Sequence, residues 1–166
     1  MSTANCRRLG VLAGGRNWMR TAVDSSVLLD VFTGAGPFLQ NSQNALRRAL
    51  AEGSLIAGEV VWAEVRSNFP SDRAFEDAMN QLGVQYCPTP DSAALEAGRA
   101  WSEYRQAGGK RQQLIPDFLV ASHAVMLADR LLTRDRGFSK RYFQKLDVWD
   151  PSEVGATKNL PAERPI

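Results

Sequence analysis

Short apolar runs alternate with longer helical segments along most of this chain, and that alternation is the tightest constraint on its fold. Thr21–Asp24, Leu55–Ala57, Val84–Cys87, Arg130–Thr133 and Leu146–Trp149 read as strands. Val27–Thr33, Phe38–Glu52, Val60–Asn68, Ser71–Leu82, Asp91–Gln106 and Pro116–Ala128 read as helices, because Gly34-Ala35-Gly36-Pro37, Gly53, Pro70, Gly83 and Gly108-Gly109 punctuate them. Strands separated by helices are joined by crossovers and so run parallel. The expected fold is a three-layer α/β/α sandwich around a central parallel five-stranded sheet.

The 166 residues suffice for one domain with a real core. No apolar stretch approaches the roughly 20 residues a membrane helix needs. Arg7-Arg8 followed by Leu9-Gly10-Val11-Leu12-Ala13 has the outline of a signal peptide, but the apolar part is too short and runs into Gly14-Gly15-Arg16-Asn17. Export is therefore not expected. Residues 1–18 read as a flexible leader, 19–151 as the folded domain and 152–166 as a disordered tail. The two cysteines, Cys6 and Cys87, have neither metal-ligand nor redox spacing, so the reading is a reduced, cytoplasmic protein.

Four carboxylates, far apart in sequence, fall where such a fold can aim them at one point. Asp24 ends the first strand, Asp135 follows the fourth, Asp117 stands after Pro116 at a helix start, and Glu64 interrupts the apolar segment Val60–Val65. The functional crevice of an open parallel sheet lies beyond the carboxyl ends of its strands. Carboxylates converging there would repel one another unless hard cations sat between them. The pattern therefore points to a Mg²⁺ or Mn²⁺ site, and such sites commonly process phosphate esters.

Each acid also has a plain structural reading. Asp24 is placed to cap the next helix, although Ser25 and Ser26 would serve equally well. Asp117 favours a helix N-terminus through the dipole, and Asp135 in Thr-Arg-Asp-Arg-Gly suits a turn. Glu64 is harder to explain away, and Asn68 one turn on would share its face. His123, the sole histidine, lies about 240° around the helix from Asp117 and points away from the site. Lys110, Arg111, Arg134 and Arg136 flank the acids and are candidate contacts to RNA phosphates. The net charge of +2 would be +6 without the four acids, a balance that suits a polyanionic partner.

Four segments together resemble the PIN-domain nucleases, most of all the toxin ribonucleases of VapBC-type toxin–antitoxin pairs. They are Val23-Asp24-Ser25-Ser26-Val27-Leu28-Leu29-Asp30, Val61-Trp62-Ala63-Glu64-Val65, Ile115-Pro116-Asp117-Phe118-Leu119-Val120-Ala121-Ser122-His123-Ala124, and Leu131-Leu132-Thr133-Arg134-Asp135-Arg136-Gly137-Phe138. The resemblance spans Thr21 to Pro151. It implies an endoribonuclease dependent on Mg²⁺ or Mn²⁺, usually dimeric and inhibited by a small antitoxin. It makes Asp24, Asp117 and Asp135 the principal ligands, with Glu64 positioning a second metal or the attacking water. It also makes Ser26 and Thr133 supports for those ligands. Two other readings stay open: a PIN nuclease of RNA processing or decay with no antitoxin, and a non-catalytic module that binds RNA or protein. An Asp-nucleophile phosphatase is disfavoured, because it needs a second Asp where this chain has Ser26.

Overall fold

The computed structural model describes residues 18–109, 115–135 and 141–154. The strands are β1 (Met19–Val23), β2 (Gly53–Ala57), β3 (Val84–Tyr86), β4 (Arg130–Leu132) and β5 (Val148–Trp149). The helices are α1 (Ser25–Thr33), α2 (Leu39–Glu52), α3 (Glu59–Arg66), α4 (Asp72–Leu82), α5 (Asp91–Gln106), α6 (Ile115–Leu127) and a short α7 (Pro151–Val154). The five strands form one parallel sheet in the order β3-β2-β1-β4-β5. The expected three-layer sandwich is thus the observed fold.

Side-chain alternation along the strands divides the core in two. Val23, Leu55, Ala57 and Leu132 face one layer, packed against Val27 and Leu28 of α1, Leu46 of α2, Val61 and Val65 of α3, and Phe75 and Met79 of α4. Ala22, Ile56 and Leu131 face the other, against Ala97 and Ala100 of α5 and Phe118, Ala121 and Ala124 of α6. Gly53 pairs with Met19 across β1 and β2, and a Cβ there would collide with the Met19 backbone. Glycine at that position lets the two strands open in register.

Strand order also fixes where a site can form. The chain steps outward from β1 to β2 and β3, then resumes at β4 on the other side of β1. The topological switch point therefore lies between β1 and β4, where loops leaving the carboxyl ends diverge and open a crevice.

Three expectations need correction. Residues 152–154, expected in a disordered tail, belong to the helix Pro151–Val154. Asp150 explains this by accepting bonds at Oδ1 from the Ser152 amide (2.8 Å) and hydroxyl (2.7 Å), and Pro151 suits a first helical turn. Helix α3 stops at Arg66, so Asn68 does not extend the Glu64 face; its amide bonds the Glu64 carbonyl at 3.0 Å. Cys87 is buried and disulfide-bonded, not reduced. The other cysteine, Cys6, lies outside the described residues, as do the rest of the proposed leader and residues 155–166.

Candidate active site

The switch point is occupied by Asp24. Its amide donates to the Leu132 carbonyl at 3.0 Å, which ties the end of β1 to the end of β4. Asp24 holds the N-cap backbone position of α1, yet its side chain makes no capping bond. The half-buried carboxylate is engaged elsewhere. Its Oδ2 accepts from Ser26 Oγ at 2.6 Å and from Thr133 Oγ1 at 2.7 Å, while Oδ1 meets only Ser25 Oγ at 3.4 Å among the described residues. One oxygen is anchored and the other is left open.

Thr133 links two of the expected acids. Its buried hydroxyl donates to Asp24 and accepts from the Asp135 amide at 3.0 Å. The Arg134 amide approaches Ser26 Oγ at 3.5 Å, so the turn after β4 is laced to the start of α1. The turn is thereby set by hydrogen bonds to side chains that themselves hold Asp24.

Asp117 lies exposed in the first turn of α6, one residue beyond Pro116. Glu64 is exposed on α3, whose buried face consists of Val61 and Val65. Among the described residues, no three His, Cys, Asp or Glu side chains form a group able to hold a metal ion. The donor chemistry nonetheless fits a hard divalent ion, because every candidate offers carboxylate oxygen and Asp24 keeps one oxygen open.

Arg134, a candidate phosphate contact, has partners on α1 and before α2. Its Nε lies 3.3 Å from Asp30 Oδ2 and its guanidinium packs over the Phe38 ring at 4.7 Å. Lys110, Arg111 and Arg136 fall outside the described residues. Asp30 and its second partner, Ser42, were not singled out from sequence. The available signal was an acid inside the apolar helix Val27-Leu28-Leu29-Asp30-Val31-Phe32.

His123 faces the other layer. It is buried, and its Nε2 lies 2.9 Å from the Cys87 carbonyl oxygen. Burial pushes its imidazole below the ordinary histidine value, and the Cys87 carbonyl and Glu59 pull the other way more weakly. Glu59 shows the opposite balance. Burial alone would raise its carboxyl, but the Thr89 hydroxyl (2.6 Å) and amide (2.9 and 3.0 Å) outweigh that and hold it below the usual value. With Gly58 and Val23, His123 and Thr89 line a cavity of about 10 Å³. That space is the size of a single water at most.

A five-stranded parallel sheet with an anchored Asp at its switch point defines the class, and comparison with known proteins agrees. The PIN domain model matches residues 21–144, and the chain belongs to the PIN-domain family. Among solved structures, VapBC2 from Rickettsia felis bound to a DNA fragment from the pair's promoter aligns with a TM-score of 0.60 at 14% identity. That alignment covers 80% of this chain and 98% of the other. VapBC-1 from nontypeable Haemophilus influenzae aligns at 0.58 and 16%, covering 81% and 99%. FitAcB from Neisseria gonorrhoeae aligns at 0.59 and 15%, covering 80% and 98%. At such identities the likeness establishes the fold. No curated protein sequence matches significantly.

Proposed function

We propose that this chain is a divalent-metal-dependent endoribonuclease and the toxin of a toxin–antitoxin pair. The observation that carries the reading is Asp24 at the switch point, one carboxylate oxygen fixed by Ser26 and Thr133 and the other met, among the described residues, only by Ser25 at 3.4 Å. A helix cap alone would not need that arrangement, since the side chain caps nothing. Membership of the PIN family supports nuclease chemistry.

Asp24, Asp117 and Asp135 would hold Mg²⁺ or Mn²⁺, with Glu64 ordering a further ion or the attacking water. Bound there, such an ion supplies a water nucleophile near neutral pH and offsets the charge that develops on the phosphodiester. The chain's own contribution is orientation. Ser26 and Thr133 hold the Asp24 carboxylate in one pose, and the Thr133–Asp135 turn brings a second acid to the same sheet edge. Exposed Asp117 and Glu64 would complete the ligand set on the solvent side. RNA is the substrate, and Lys110, Arg111 and Arg136 are candidate phosphate contacts.

The VapBC and FitAB complexes among the structural neighbours support a small antitoxin partner. A homodimer completes the proposal. Co-expression tests it against a PIN nuclease of RNA processing. A toxin arrests growth when expressed alone and is silenced by the product of an adjacent short gene encoding a DNA-binding protein. Growth without arrest, alongside RNA cleavage in vitro, would favour the processing enzyme.

A further inference from the structure

Asp30 carries the charge relation that the sequence left unread. It sits on α1 with its side chain only 11% exposed, in a helix otherwise apolar over Val27–Phe32. Ser42 Oγ of α2 donates to Asp30 Oδ2 at 2.6 Å, which fixes the carboxylate between the two helices. Arg134 Nε approaches the same oxygen at 3.3 Å as a charge pair not aligned for a hydrogen bond. The guanidinium then packs over Phe38, immediately before α2. Arg134 is the residue between Thr133, which holds Asp24, and Asp135.

We infer that Asp30 is a positioning residue that holds the Arg134 guanidinium against α1 and Phe38, so that the Asp24 carboxylate keeps its negative charge for a cation. The physical reason is competition. A guanidinium is permanently charged and pairs readily with carboxylates. Without Asp30, Asp24 stands one hydrogen bond away through the neighbouring Thr133. A cation folded onto it would take the place of the metal. Asp30 and Ser42 supply a competing carboxylate already ordered by hydrogen bonding, and Phe38 supplies a ring face that favours the same pose.

The inference rests on the proposed metal site, and its test separates the two. Calorimetric titration with Mn²⁺ would be run on wild type, Asp30→Asn, Arg134→Gln, the double variant and Asp24→Asn. Asp30→Asn keeps a polar partner for Ser42 but loses the charge that holds Arg134. It should weaken Mn²⁺ binding about tenfold. The double variant should return to within about twofold of wild type, because the competing cation is gone. Arg134→Gln alone should bind Mn²⁺ at least as tightly as wild type.

Unchanged binding in Asp30→Asn, or no recovery in the double variant, would overturn the inference while leaving the metal site intact. A raised KM and a shallower salt dependence in Arg134→Gln would also overturn it, by making Arg134 a phosphate contact. No Mn²⁺ binding by wild type, or unaltered binding in Asp24→Asn, would instead refute the site on which it depends. Should Asp30→Asn fail to fold by circular dichroism, Arg134→Gln still decides: weaker metal binding there contradicts the competition.

Discussion

Replacing Thr133 by Val removes one hydroxyl and leaves nearly the same volume, so it isolates the bond network at the switch point. Thr133 is 2% exposed and sits where β4 ends, so the added methyl replaces oxygen without opening the core. Two hydrogen bonds are lost, one to the Asp24 carboxylate at 2.7 Å and one from the Asp135 amide at 3.0 Å. A bond to a charged acceptor contributes about 1.5–3 kcal/mol and a neutral one about 0.5–1.5, so the expected cost is about 2–4 kcal/mol. Against a total stability on the order of 5–15 kcal/mol the variant stays folded. In urea, with a slope of roughly 2 kcal/mol/M, its midpoint falls by about 1–2 M. Activity should fall further than stability implies, by about 10- to 100-fold at saturating metal, because Asp24 loses a bond that orients it. Thr133→Ser should recover most of both. Initial rates on a fluorescent RNA and urea unfolding followed by circular dichroism supply the two numbers. A Val variant that loses stability but cleaves within about twofold of wild type would refute the orienting role, because a buried polar contact alone explains that outcome.

Four further outcomes follow from other parts of the molecule. Glu52→Gln should destabilise the fold by about 2–4 kcal/mol in urea unfolding: Arg130, 8% exposed, loses the carboxylate 2.6 Å from its Nη2, though Glu52's 32% exposure places the effect below that of a fully buried pair. Because folding depresses the His123 value, the unfolded chain takes up its proton first. Stability is full above about pH 6.5 and declines as pH falls through that value toward the folded one, so the urea midpoint should drop between pH 7 and 5 in wild type and less in His123→Gln. Glu59 acts in a different window, since its depressed value gives stability present above about pH 4.5 and lost below it. Thiol titration of the denatured, unreduced protein should read no free thiol, and a full count would contradict the Cys87 disulfide.

Much of the fold could be read from local chemistry, and what could not is mostly long-range. Glycine at 34 and 83 closes α1 and α4 in the left-handed conformation, with φ of 65° and 73°, and both were visible as stop signals. Strand existence was equally plain, because apolar runs between such stops have few alternatives. The order of strands was not, since nothing local says that β4 inserts beside β1 rather than beyond β3. Helix α7 was legible in Asp150-Pro151-Ser152-Glu153, an Asp cap followed by a proline, although residues 152–166 were read as a tail.

The site was legible as a set of residues and less so as a geometry. That Asp24 is no cap depends on Thr133, 109 residues away, taking its oxygen. The tie of Asp30 to Arg134 is likewise a contact across the fold that no spacing rule signals. Four acids in order suggested a gathered cluster; among the described residues no three such groups stand close enough to hold a metal ion.

The claim that these acids act as one site is tested most directly by RNA cleavage with Asp117→Asn. Asp117 is exposed and stands outside both cores, so its loss as a ligand can be separated from loss of fold. Purified wild type and variant would be compared on total cellular RNA with Mg²⁺, with Mn²⁺ and with EDTA, and circular dichroism would confirm that both are folded. The account predicts discrete fragments from wild type only, abolished by EDTA and absent from the variant with either metal. Fragments of equal yield from a folded Asp117→Asn protein, or from wild type in EDTA, would contradict it.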